Sequence, residues 1–203
     1  MEQLSKFSRI VWMSIVAVLL LRILLALWLG SNSILPVCAE IVVYALLGGW
    51  FSILHRNCNR KSALYLPALF GMISSGVMVV ASIVSVLEII LLLGSAGTEI
   101  YQIGFAVAYI LFVVTFVLIG RRVPAGKYRK AAYVAAFVPL IAAILGAVLS
   151  SVVPSAVFSA MEEFDWEVYN ETLRRYFLCI GLISITISYG AYAFFAYTMD
   201  TKK

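Results

Sequence analysis

The chain has 203 residues, of which 64% are hydrophobic and only 12% charged, with a mean hydropathy of +1.04. That composition excludes an ordinary soluble domain, in which about half of the residues are apolar. A net charge of +5 would suit a nucleic-acid binder, but the charges gather at the ends of long apolar runs and form no basic face, so no nucleic-acid partner is expected.

A run of about 20 apolar residues lets an α-helix cross roughly 30 Å of hydrocarbon with every backbone group bonded internally. Six such runs follow one another: Ile10–Gly30, Ile34–Leu54, Ala63–Leu93, Ile100–Gly120, Ala131–Val153 and Tyr176–Tyr197. The chain therefore reads as an all-α polytopic membrane bundle of six transmembrane helices, one domain over residues 1–203. The first run carries Arg22, exceeds the roughly 7–15 apolar residues of a signal peptide and has no small-x-small cleavage site before Asn32, so it reads as a retained span.

The connections are short. Ser31–Ser33 and Gly94–Glu99 fall on one side; His55–Ser62 and Arg121–Lys130, the latter with turn residues Pro124 and Gly126, fall on the other. Twelve of the 15 Lys/Arg lie in the N-terminus, the two basic connections and the C-terminal tail, whereas only Arg174 and Arg175 lie opposite. The positive-inside rule then expects both termini in the cytoplasm, and the small extramembrane parts point to a bacterial cytoplasmic (inner) membrane. The basic excess is a topology signal with a weak pull on anionic lipid.

Pro154–Arg175 differs from the rest. It holds Glu162, Glu163, Asp165, Glu167 and Glu171, interleaved with Phe158, Met161, Phe164, Trp166, Val168 and Tyr169. Apolar positions at near-helical spacing predict a short amphipathic helix on the membrane face or an outward extension of the last span. Either forms an acidic collar with Trp and Tyr at headgroup level, and Glu162, Glu163, Asp165, Trp166 and Glu167 are the candidate surface for a protein partner.

A repeat is visible at an offset of 65: Val42-x-Tyr44-x-Leu46-x4-Phe51-x4-Arg56 matches Val107-x-Tyr109-x-Leu111-x4-Phe116-x4-Arg121. It would correspond to a duplicated helical hairpin of the parallel kind. Leu66-Pro67-Ala68-Leu69-Phe70-Gly71, then Arg121-Arg122-x-Pro124 after an aromatic-rich span, and Tyr192 in the terminal aromatic span carry a second pattern. From Ala63 onward the chain thereby resembles an uncharacterised bacterial family of four-span membrane proteins, a domain of unknown function. The resemblance implies membrane helices in that stretch and implies no activity.

Arg22, Glu40 and Glu88 are the ionisable residues inside the runs. An Arg at mid-membrane costs about 2.5–3.5 kcal/mol even on lenient scales, so such groups face the bundle interior and find partners. At 1.5 Å per residue, Arg22, Glu40 and Glu88 lie about 12, 9 and 8 Å below the outer edge, with Tyr44 one turn beyond Glu40 on the same face. One reading is a ligand- or ion-binding site open to the outside, in which Arg22 neutralises one carboxylate and leaves the other for a cation, a proton or an amine. The other is a buried Arg–Glu pair that fixes packing. Small and hydroxyl residues recur on span three (Gly71, Ser75, Ser82, Ser85), span five (Ala142, Gly146, Ser150) and span six (Gly181, Ser184, Ser188, Tyr192), as close helix packing requires.

Catalytic chemistry finds no support: the single histidine, His55, is remote from the carboxylates, and no Ser/His/Asp set, H-E-x-x-H or phosphate loop occurs. The three cysteines give no disulfide framework; Cys38 and Cys179 share a level but read as separate packing residues. The expectation is a non-enzymatic membrane protein without cofactor or metal, which binds or translocates a small molecule or cation. The alternative is a scaffold that presents 154–175 to a partner.

Overall fold

The computed structural model describes residues 2–29, 35–91, 96–161 and 165–200. Among them the chain forms six α-helices and no strand: α1 (Glu2–Leu29), α2 (Leu35–Asn57), α3 (Tyr65–Leu91), α4 (Ala96–Arg122), α5 (Lys127–Ala160) and α6 (Trp166–Thr198). All six are long and apolar enough to cross a membrane, and the protein is an integral membrane bundle. Most helices outrun their apolar cores by a turn or more, because polar first and last turns remain solvated beside the hydrocarbon. Pro36 and Pro67 sit in the first turns of α2 and α3, where the missing N–H would have no partner in any case. Between α4 and α5, Gly126 adopts φ 133°, a conformation side chains resist, and the Arg129 guanidinium donates to the Val123 carbonyl at 3.0 Å.

The helices form a closed ring in chain order: each packs on its neighbours in sequence, and α6 closes against α1. Short connections make successive helices antiparallel, so α2, α4 and α6 run in one direction. Side chains of these three meet at the centre: Phe51 on Phe116 (5.8 Å between ring centroids), Phe116 on Phe195 (5.0 Å), Trp50 on Phe195 (5.2 Å) and Phe112 on Tyr192 (5.7 Å). The lipid-facing surface is apolar, with residues such as Leu24, Val80, Ile110 and Ile144 exposed on it.

The five paired positions of the offset-65 repeat occupy matching environments on α2 and α4. Val42 and Val107 are 47% and 46% exposed, Tyr44 and Tyr109 are buried, Phe51 and Phe116 are fully buried, and Arg56 and Arg121 are exposed.

Ring closure has its own polar lock at the end that carries the termini. The buried Asp200 carboxylate accepts from Arg9 Nε at 2.9 Å, from Arg9 Nη2 at 3.3 Å and from Ser5 Oγ at 3.2 Å. Nearby, Trp50 Nε1 donates to Ser8 Oγ at 2.7 Å, and Trp12 stands edge-on to Tyr197.

Of the two expectations for 154–175, the described residues form the outward extension of the last span and no separate membrane-surface helix. Residues 154–160 continue α5 and residues 166–175 open α6, so both spans extend. Pro154 does not end α5, since one lost backbone bond is tolerable within a helix packed along a neighbour. Asp165 caps α6, its Oδ1 accepting from the Glu167 and Val168 amides at 2.7 and 3.2 Å. Tyr169 ties the two helices by donating to the Pro154 carbonyl at 3.3 Å and by standing edge-on to Phe158. At 34 and 33 residues, α5 and α6 are each roughly 50 Å long, about 20 Å more than the hydrocarbon thickness.

Candidate functional site

Arg22 on α1 and Glu40 on α2 face each other across adjacent helices: Arg22 Nη1 donates to Glu40 Oε1 at 2.8 Å, with side chains 9% and 10% exposed. In surroundings this apolar, each charge is tolerable because the other is present. Tyr44, one turn along α2, is buried beneath Glu40, edge-on to Tyr189 of α6 at 6.3 Å and tilted over Phe112 of α4 at 5.9 Å.

Above these rings lies a cavity of about 300 Å³ between α2, α4, α5 and α6, whose polar lining includes Glu40, Tyr44, Tyr109, Tyr189, Ser150, Ser184 and Ser188. Phe105 and Phe177 supply further aromatic faces, and Gly146 and Gly181 make room. A Cβ on Gly146 would stand 2.8 Å from Ser184 Oγ, whereas one on Gly181 would meet nothing within 4 Å.

Three hydroxyls of the wall are hydrogen-bonded to one another or to the backbone. Ser188 Oγ donates to the Ser184 carbonyl at 2.8 Å, which leaves its oxygen to accept from the Tyr109 hydroxyl at 3.4 Å; Ser184 Oγ donates to the Ala142 carbonyl at 3.3 Å. The small-residue stripes of spans five and six thus meet face to face at the cavity, and Ser184 and Ser188 serve it as well as the packing. The stripe of span three acts elsewhere: Ser74 Oγ donates to the Ala108 carbonyl at 2.6 Å, Ser75 lies against Gly48, and the Phe51 ring covers Gly71.

Of the residues singled out from sequence, Arg22, Glu40 and Tyr44 come together. Glu88 is half-buried on α3 and is not among the cavity's lining residues. His55 lies at the far end of α2, its ring 4.3 Å from that of Tyr65. Asp165 is engaged as a helix cap, Trp166 and Glu167 are exposed on the α5–α6 hairpin, and Glu162 and Glu163 lie outside the described residues. Cys38, Cys58 and Cys179 are free thiols. Sequence reasoning missed Tyr189, Phe105 and Phe177. Only Tyr189 carried a signal, an aromatic residue level with Tyr44 on a co-directional helix, which becomes visible once the ring's order is known; Phe105 and Phe177 lie at other heights on α4 and α6 and carried none.

A second cavity of about 400 Å³ opens at the terminus-bearing end, lined by Trp50, Leu54, Ile119, Arg122, Tyr128 and Met199 among others. Tyr109 of the first cavity and Ile119 of the second are about 15 Å apart along α4 by helical rise. The interval is filled by the fully buried rings of Phe112, Phe116, Tyr192 and Phe195. Such a fold and site define a class: a membrane-embedded six-helix ring with a polar cavity on one side of an aromatic plug and an apolar one on the other. The chain matches no protein-family profile, no curated protein and no solved structure. Among the described residues no cluster of His, Cys, Asp or Glu could hold a metal ion.

Proposed function

We propose that this protein binds a small molecule in the Glu40–tyrosine cavity and passes it along the ring axis. The observation that carries the reading is the presence of two cavities at different levels of the bundle, one lined from α2, α4, α5 and α6 and one at the terminus-bearing end, with a cluster of buried aromatic side chains between them along α4. A conduit through a bundle needs a site at which the solute is held and a removable closure. Aromatic rings clustered at 5.0–5.8 Å provide a closure whose rotamer changes open a path without breaking hydrogen bonds. With the basic residues at the terminus-bearing end, the positive-inside rule places that end in the cytoplasm and the polar cavity toward the outside.

The test is a thermal-shift screen of small solutes on detergent-purified protein, repeated on Gly181→Phe. This substitution enters open cavity space and should leave the unliganded melting temperature nearly unchanged while abolishing stabilisation by any solute that binds there. Stabilisation that survives Gly181→Phe, or none across a broad panel, overturns the reading.

A second reading has its own observation. The α5–α6 hairpin runs beyond the hydrocarbon and exposes Trp166, Phe158 and Val168, which suits a partner docked at that end. A photo-crosslinker at position 166 should then give one discrete adduct in cells; scattered or lipid-only adducts argue against it.

A further inference from the structure

The chemistry of the cavity wall narrows the class of ligand, a step that rests on the proposed binding function. Tyr44, Tyr109, Tyr189, Phe105 and Phe177 are among the residues that line a space of about 300 Å³, with Glu40 in the same wall and no Lys or Arg among the lining residues. Aromatic faces carry negative electrostatic potential and attract cations within about 6 Å of the ring centroid, most strongly where water is excluded. An anion would face that potential and the Glu40 carboxylate, with hydroxyl donors and the already paired Arg22 to offset them. A neutral apolar solute would gain nothing from the carboxylate or from the negative potential of the rings.

The makeup of the wall distinguishes among cations. Its acceptors, the Glu40 carboxylate and the hydroxyls, keep lone pairs after the bonds they make, but they are distributed over four helices within a lining that is mostly aromatic and aliphatic. A bare ammonium needs three acceptors converging on one nitrogen, and each N–H left unsatisfied on burial costs free energy. A cation whose nitrogen is covered by alkyl groups brings none and spreads its charge over methyl surfaces that fit aromatic faces. The charge of the surrounding end agrees: Glu88, Asp165, Glu167 and Glu171 outnumber Arg174 and Arg175 there, a bias that raises the local concentration of cations.

We infer that the cavity between α2, α4, α5 and α6 is a binding site for an alkylated ammonium, a small organic cation held by the tyrosine faces and the Arg22-paired Glu40 carboxylate.

The probes are choline and its uncharged carbon isostere 3,3-dimethyl-1-butanol, with pivalate as an anion of similar shape. Each is titrated by calorimetry into purified wild-type protein, Tyr109→Leu, Tyr44→Leu and Gly181→Phe. The expected result is saturable binding of choline, at least tenfold tighter than the isostere. Affinity should fall about three- to thirtyfold on loss of one ring, the range that cation–π contacts support, and binding should vanish in Gly181→Phe. Tyr109→Leu guards against misfolding of the more deeply packed Tyr44→Leu, and both must retain the wild-type elution profile to be scored. If the isostere or pivalate binds as tightly as choline, and Gly181→Phe blocks it, the ligand class is wrong while the cavity reading stands. If no probe binds in a way Gly181→Phe abolishes, and the broad solute screen also fails, both fall.

Discussion

Arg22 and Glu40 show what a buried charge pair does for a membrane bundle. Each alone in this environment would be severely destabilising; together, 2.8 Å apart, they cost little and fix the register of α1 on α2. Arg22→Leu should therefore destabilise the protein by about 3–5 kcal/mol, because it strands the carboxylate, and adding Glu40→Gln should recover most of that loss. Denaturant titrations of the single and double variants decide it, and purely additive losses would reject the coupling. The pair was legible from sequence because helical rise converts residue number into depth, and adjacent helices with a short connection must bring equal depths together. Glu88 shares that level but not the cavity. Depth follows from counting residues, whereas the direction a side chain faces turns by about 100° with each one, so a boundary uncertain by two residues leaves the azimuth undetermined. The same limit hid Tyr189, and it hid Asp200, the acidic residue of a tail that reads as solvated until α6 is seen to end beside Arg9.

At the scale of the helix pair, two glycines of α3 separate the roles a small residue can have. At Gly71 a Cβ would come within 2.5 Å of the Phe51 ring on α2; at Gly76 it would meet nothing within 4 Å. Gly71→Ala should thus force α2 and α3 apart or displace a fully buried ring, destabilising by about 1–3 kcal/mol, whereas Gly76→Ala should be neutral or slightly stabilising through helix propensity. Melting temperatures of the two variants, compared under one detergent condition, test this, and equal losses would mean that Gly71 does not sit under the ring. The small-residue stripes of spans three, five and six showed that helices approach closely, but not which stripe lines a cavity. For 154–175 the sequence left a surface helix and an extension of the last span open, and the structure has the extension, on α5 as well as α6. Proline and an acidic cluster signal an interruption, yet Pro154 stays inside α5 and Asp165 caps α6, because two long helices packed along each other retain the helical state past the membrane edge. Here tertiary contact overrode a local breaker, through Tyr169 reaching the Pro154 carbonyl.

Across the whole molecule, the ring order and the aromatic plug make the two ends unequal. Phe112, Phe116, Tyr192 and Phe195 fill the axis, so a polar reagent that enters the Glu40 cavity should not reach the apolar one. The basic residues of the opposite end, among them Arg56, Arg60, Arg121 and Arg122, predict by the positive-inside rule that this end faces the cytoplasm, and the two expectations together can be read in one labelling experiment. In a background with Cys38, Cys58 and Cys179 replaced by Ala, single cysteines are introduced as Glu167→Cys on the hairpin, Gly181→Cys in the cavity and Ala125→Cys in the α4–α5 turn. A small membrane-impermeant cationic thiol reagent added to intact cells should modify positions 167 and 181 and leave position 125 unmodified until the cells are permeabilised. Position 181 should also be protected by whichever solute occupies the cavity, whereas position 167 should not. Modification of 125 with 167 silent would invert the orientation. Modification of 181 only from the side of Ala125 would mean that the cavity opens toward the basic end and that the plug does not separate the two compartments.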